Sequence, residues 1–302
     1  MSYRNFEALI ERARGGKRRG VVAAAEDRHI LEAVLEARGR GIAEFALVGD
    51  TARILEKLSD LGAEPGDFRI VEAPGGENPA QRAVSLIASG EGDFLIKGRM
   101  DTKDLLKPVV DRANNLHDPN SASGGLMSHL AFFEIPGFDR LVVLTDGGMV
   151  MYPTLEQKKG LILNAVHTLR EMGWERPRVA VLCAVEKVNP KMKETVEAEA
   201  LMQMNRSGDI EGCVVEGPIS YDIAMSPEIA AIKGYESENC GRFDVLLTPD
   251  MTSGNLLGKS LLISAGARLA GLVVGARVPI VVTSRGSSAE EKFYSIVLCA
   301  AR

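Results

Sequence analysis

Closely spaced cysteine pairs are missing from this chain. Cys183, Cys213, Cys240 and Cys299 form no CxxC pair, which removes the usual zinc spacing. Cys183 and Cys213 lie in apolar, strand-like runs and read as buried thiols, a pattern that fits a reducing cytoplasm. No segment approaches the roughly 18 consecutive apolar residues of a membrane span. The N-terminal stretch lacks the apolar core of a secretory signal. Its Phe6, Leu9 and Ile10 sit at helical spacing with charges between them and predict an amphipathic helix followed by a basic turn. A basic surplus is absent too: 36 Lys and Arg face 41 Asp and Glu, giving a net charge of −5 and a pI near 5.6. Neither nucleic acid nor membrane is therefore an expected partner, and the expected location is cytoplasmic. A G-x-S-x-G nucleophile elbow is missing, and no G-x-G-x-x-G follows a strand-like run.

What is present is an α/β pattern. The 302 residues, 45% hydrophobic and 25% charged, are ample for one large domain or two smaller ones. Strand-length apolar runs fall at 20–24, 44–48, 68–71, 93–96, 141–144, 179–182, 212–215, 245–247, 272–274 and 279–282. They are continuous rather than alternating, which predicts strands covered on both faces. Helical patterns lie between them, for example at 28–38, 52–61, 79–89, 155–172 and 255–269. Such alternation predicts parallel βαβ units in one or two doubly wound sheets. A domain boundary is expected within 117–128, where Pro, Asn, Ser and Gly concentrate, and a weaker one near 236–242. No internal repeat is visible.

Ligands of open α/β sheets sit at the carboxyl ends of strands. Three strand-to-helix junctions carry suitable groups. Lys97, Gly98, Arg99, Asp101, Thr102 and Lys103 follow the run at 93–96, and Lys107 lies one helical turn past Lys103. Cations and a Thr/Asp cap at a helix start suit an anion, although a capped helix with a solvated basic face is the plainer reading. The second junction, 249–260, imitates a P-loop, but only three residues separate Gly254 from Gly258 where four are needed. It reads instead as a polar loop opening a helix, with Thr252 or Ser253 as cap. In the third, Ser287 and Glu290 form an S-x-x-E capping-box pattern, whereas Ser284 and Arg285 precede it. An Arg at a strand end beside free helix N–H groups suits a phosphate dianion. His129 precedes an apolar run and reads first as a structural histidine; His29, His117 and His167 show no partner in the sequence pattern.

Several stretches together resemble the phosphate acetyl/butyryltransferase family, and its butyryltransferase branch more closely. They are Ser128-His129-Leu130-Ala131-Phe132-Phe133-Glu134-Ile135-Pro136-Gly137-Phe138-Asp139-Arg140, Leu144-Thr145-Asp146, Leu155-Glu156-Gln157-Lys158, Glu186-Lys187-Val188-Asn189-Pro190-Lys191-Met192, Glu216-Gly217-Pro218 with Asp222, the loop at 249–260, and Pro279-Ile280-Val281-Val282-Thr283-Ser284-Arg285. The resemblance implies two α/β/α domains with mostly parallel sheets and an active-site cleft between them. It also implies a final helix that returns to the first domain, giving expected domains of 1–136 plus 285–302 and of 137–284. A homodimer or higher homo-oligomer is typical of such enzymes.

The implied reaction converts a short-chain acyl-CoA, butyryl-CoA or similar or else acetyl-CoA, and phosphate into acyl phosphate and CoA, reversibly. CoA is then a substrate, and no permanently bound cofactor or metal is expected. Chemistry of this kind needs a held phosphate, donors for a tetrahedral oxyanion, and a base for the CoA thiol in the reverse direction. By resemblance, Arg285 would bind phosphate or acyl phosphate, and Ser284 would hydrogen-bond the sulfur or the reacting carbonyl. Glu291 and Glu290 are both candidates for the base. Substrate or phosphate contacts are expected from Lys97, Thr102, Lys107, Ser128, His129, Thr145, Asp146 and Asn255.

Two departures stand out. Lys107 falls near an Arg of the acetyl branch and keeps the charge without bidentate geometry. Met151 and Tyr152 stand where the family carries small residues and would reshape the acyl or CoA pocket. Three rivals stay open: a phosphate acyltransferase using acyl carrier protein, with a basic docking patch; a two-domain dehydrogenase, with a metal-binding acidic cluster that the sequence does not display; and a non-catalytic sensor of acyl-CoA or acyl phosphate.

Overall fold

A computed structural model describes residues 3–73, 77–119, 121, 123–284 and 286–302. They form two compact units, Phe6–Pro119 with Ala270–Arg302 and Met1–Asn5 with Asn120–Leu269. The expected domains changed at 136/137 and 284/285. The units change earlier at both places, at 119/120 and 269/270.

The first unit opens with α1 (Phe6–Ala13), β1 (Arg19–Ala23), α2 (Arg28–Gly39), β2 (Glu44–Gly49), α3 (Thr51–Asp60), β3 (Arg69–Glu72), α4 (Pro79–Ala88), β4 (Phe94–Lys97) and α5 (Thr102–Val110). Strands β1 to β4 pair in parallel, in the order β3-β2-β1-β4. The apolar runs of β1, β2 and β4 are buried almost throughout, as expected of strands covered on both faces. Short polar caps start the helices: Asp27, Asp50 and Asn78 each accept a backbone N–H from the first turn of α2, α3 and α4. In α1 the predicted apolar stripe is buried through Phe6, Leu9 and Ile10.

The second unit holds β5 (Ser128–Glu134), β6 (Leu141–Thr145), α6 (Leu155–Glu171), β7 (Arg178–Leu182), α7 (Lys193–Ser207), β8 (Val214–Ile219), α8 (Tyr221–Met225), α9 (Pro227–Ile232), β9 (Val245–Leu247) and α10 (Met251–Ser264). Its strands run in the order β5-β6-β9-β7-β8, parallel except for β5 against β6. Strand β5 is not among the strands expected from sequence, where its start falls in the expected boundary segment. The antiparallel register Ala131↔Leu144 to Glu134↔Leu141 makes it part of the sheet.

The chain then supplies β10 (Arg268–Val274), β11 (Ile280–Val281) and α11 (Ala289–Ala300). Within the first unit β11 pairs parallel with β4 and antiparallel with β10. Helix α11 is anchored there by stacking of Tyr294 on Phe6 at 4.5 Å between centroids, by Arg40 over Phe293 at 5.0 Å, and by Arg12 Nε donating to the Ala301 carbonyl at 2.7 Å. Ser295, fully buried in α11, accepts the Gly271 N–H at 3.0 Å. The last helix thus packs on the N-terminal part of the chain. No helix among the described residues is long and apolar enough to cross a membrane.

All four cysteines are free and buried. Burial pushes the Cys183 and Cys299 thiols up to about 12 and that of Cys213 up to about 11.

Candidate active site

The carboxyl ends of β4 and β11 meet the starts of α5 and α11 within the first unit. Beyond Lys97 the chain crosses the end of β1, where Gly98 N donates to the Ala23 carbonyl and Arg99 N to the Ala24 carbonyl, both at 2.9 Å. A Cβ on Gly98 would be driven into the Ala24 carbonyl oxygen, so glycine is the residue that permits this approach. Lys97 is only 6% exposed, and its Nζ donates to the Met100 carbonyl at 3.0 Å. After β11 come Thr283, which is buried, and Ser284, which is exposed. Around them lies a cavity of about 570 Å³, lined by Lys97, Gly98, Asp101, Thr283, Ser284 and Lys292 among others. That size is ordinary for a small-molecule site. Thr102 and Lys107 do not line it: Thr102 is the half-buried first residue of α5, and Lys107 is exposed in its last turn. Arg285 lies outside the described residues.

The start of α11 differs from the expected capping box. Ser288, not Ser287, is the cap, accepting the Glu291 N–H at 3.1 Å. The helix begins one residue later than the S-x-x-E reading requires, so Glu290 is not its partner. Ser287 is free of the cap, and its Oγ instead donates to Glu291 Oε1 at 2.6 Å. Glu290 is exposed, whereas Glu291 is half-buried. Burial raises the Glu291 carboxyl above its ordinary value, against the opposing effects of the Ser287 hydroxyl and the Lys292 charge. A half-buried carboxyl raised in this way suits a general base.

The other expected contact residues gather in the second unit, where β6 ends. Asp146 is 2% exposed. Its Oδ1 accepts N–H groups from Gly148 at 2.8 Å and Met149 at 2.7 Å, and its Oδ2 accepts the His129 N–H at 2.8 Å. This carboxylate therefore organises the loop after β6 and ties it to β5. Asn255 Nδ2 donates to the Gly147 carbonyl at 3.1 Å, fastening the same loop to α10. Gly254 permits that packing, because a Cβ there would lie 2.8 Å from the Asp146 carbonyl oxygen. Burial lowers the His129 imidazole's pKa against the pull of Asp146, and its Nδ1 has no hydrogen-bond partner among the described residues. The Thr145 hydroxyl is likewise buried without a partner among the described residues. Ser128 is fully buried and accepts from Asn164 at 2.9 Å. Met151 and Tyr152 are 61% and 79% exposed.

Helix α10 starts earlier than expected, with Asp250 rather than Thr252 or Ser253 as cap; Ser253 is its partner in a capping box. Gly254 and Gly258 are both helical, so no phosphate loop forms between them.

Several cavity residues, among them Asp27, Asp104 and Lys292, are not singled out by the sequence. Lys292 is 4% exposed. The available signal is its position in the first turn of a helix, where the dipole disfavours a cation.

The first unit is thus an α/β scaffold that collects Lys97 and Ser284 at its strand ends and Lys292 in the first turn of α11. The family described as Phosphate acetyl/butaryl transferase matches residues 75–300. The phosphate acetyltransferase of Thermotoga maritima is 41% identical over 295 residues, which cover 98% of each chain. The phosphate butyryltransferase of Clostridium acetobutylicum is 39% identical over 298 residues, covering 98% of this chain and 97% of that one. Among solved structures, a branched-chain phosphotransacylase from Enterococcus faecalis superposes with a TM-score of 0.83 at 31% identity, covering 94% of this chain and 98% of the other. The chain belongs to the phosphate acetyl/butyryltransferase family.

Proposed function

We propose that this protein transfers a short acyl group between CoA and inorganic phosphate: acyl-CoA plus phosphate gives acyl phosphate plus CoA, and the reverse. Relatives of both branches support this reading. The observation that carries it is one cavity lined by Lys97, Ser284 and Lys292, the last of which follows the half-buried Glu291 in the chain. Inorganic phosphate attacks the thioester carbonyl, a P–O–C bond forms, and the C–S bond breaks. The departing thiolate takes a proton from the Glu291 carboxyl, which regains one from the hydroxyl of the phosphate; in reverse, Glu291 removes the proton of the CoA thiol. Ser284 hydrogen-bonds the sulfur or the carbonyl oxygen, and Arg285 holds phosphate. Glu291 is preferred over Glu290 because it is the less exposed of the two and is oriented by Ser287.

Asp146 and Asn255 act by shaping the loop after β6, with substrate contact in the second unit left to His129 and Thr145, whose buried polar atoms have no partner among the described residues. Lys107 and Thr102 belong to the surroundings of the phosphate site rather than its lining. A cytoplasmic homo-oligomer completes the reading. Exposed Leu256 and Ile263 on α10 support self-association. The test is to mix a short-chain acyl phosphate with CoA and purified protein. Thioester formation supports the assignment, and its absence with acetyl, butyryl and isobutyryl phosphates refutes it.

A further inference from the structure

Lys292 is a buried charge that the proposed chemistry leaves unused. It lies in the first turn of α11, where N–H groups and the helix dipole favour negative charge, which the preceding Glu290 and Glu291 supply. Burying an ammonium there is costly unless its donors are satisfied. Yet among the described residues Nζ has one hydrogen-bond acceptor, the Ser287 carbonyl at 2.6 Å. An ammonium carries three donors. The Glu291 carboxylate acts on it only through charge, its Oε1 being held by Ser287. Lys292 also lines the same cavity as Lys97 and Ser284. An apolar residue would fill a buried helix position at lower cost, so the cation's reason for being there lies in the cavity.

We infer that Lys292 is a phosphate-contact residue: its ammonium donates to an oxygen of inorganic phosphate in one direction and of the acyl phosphate in the other. This rests on the function proposed above. Lys97, on the neighbouring strand end, supplies a second cation to the same cavity. The Ser287 carbonyl orients Nζ, and Ser287 Oγ orients Glu291. One residue therefore positions both the anion-binding cation and the proposed base. A purely structural Lys292 would merely fasten the turn before α11.

The two roles separate in Lys292→Met, which keeps length and packing, and in Lys292→Gln, which keeps a donor for the Ser287 carbonyl. Steady-state kinetics with acyl donor and phosphate varied separately should show the phosphate KM raised about tenfold or more in both variants, with the donor KM within about twofold. Calorimetric titration with inorganic phosphate alone should show the same weakening. That titration reads Lys292 whether or not turnover occurs, so failure of the functional proposal stays distinguishable. A phosphate KM and phosphate affinity within about twofold of wild type in a folded variant would overturn the inference. So would a wild-type protein that binds no phosphate. If Lys292→Met does not fold, Lys292→Gln decides.

Discussion

Ser287 and Glu291, one helical turn apart, share a 2.6 Å hydrogen bond in which the serine hydroxyl donates to the carboxylate. The bond exists because Ser288 takes over the cap of α11 and frees Ser287. It fixes one glutamate of an adjacent pair and leaves the other exposed. Glu291→Gln should therefore lower kcat by about 10²–10⁴-fold, the usual contribution of a general acid–base group. Glu290→Gln should stay within a few-fold of wild type. Thiol-release kinetics on the two variants read this directly, and equal losses would remove the distinction between them.

Ser287→Ala tests the electrostatics of that pair. Burial raises the Glu291 carboxyl, while the Ser287 hydroxyl stabilises the ionised form and works downward. Without the hydroxyl the carboxyl rises further. In the thioester-forming direction Glu291 must be ionised to act as base, so the acidic limb of kcat/KM against pH for that direction should move to higher pH in Ser287→Ala. A shift to lower pH would contradict the assigned role.

Both features show what a single sequence makes legible. The strands β1, β2 and β9 stand out because continuous Val, Leu and Ala runs can only be buried on both faces. Ser284 stands out because it follows such a run. Burial and partnership are another matter. Ser287 matches a capping box in spacing, and only the actual helix start shows that its hydroxyl serves Glu291 instead. Lys292 looks like one more surface lysine, since nothing local tells a buried ammonium from an exposed one. Strand β5 is hidden because a Pro-, Gly- and Ser-rich approach runs directly into Ser128 and His129, and its pairing with β6 is a tertiary event.

Gly98→Ala should perturb the cavity from behind. Its new methyl group would press on the Ala24 carbonyl, which is backbone and cannot rotate away. Either β1 or the 97–101 turn must move, at a cost of about 1–3 kcal/mol. Denaturant unfolding should show that loss together with a raised phosphate KM, because Lys97 moves with the turn. A variant with unchanged stability and kinetics would show that this close approach is not needed.

Asp146→Ala should act chiefly on stability. Three backbone N–H groups lose their common acceptor, two of them within the Gly147–Met149 turn. Unsatisfied buried donors cost about 1–3 kcal/mol each, with water recovering part of it, so a loss of about 3 kcal/mol is expected by denaturant unfolding. Unchanged stability combined with lost activity would assign Asp146 to substrate contact instead.

The central claim is phosphate-dependent acyl transfer, and the most direct measurement is CoA thiol release by the purified wild-type protein. Acetyl-, propionyl-, butyryl- and isobutyryl-CoA would each be offered with and without inorganic phosphate. The account predicts release that requires phosphate with at least one of these donors. Release that ignores phosphate, or none from any donor, would contradict it.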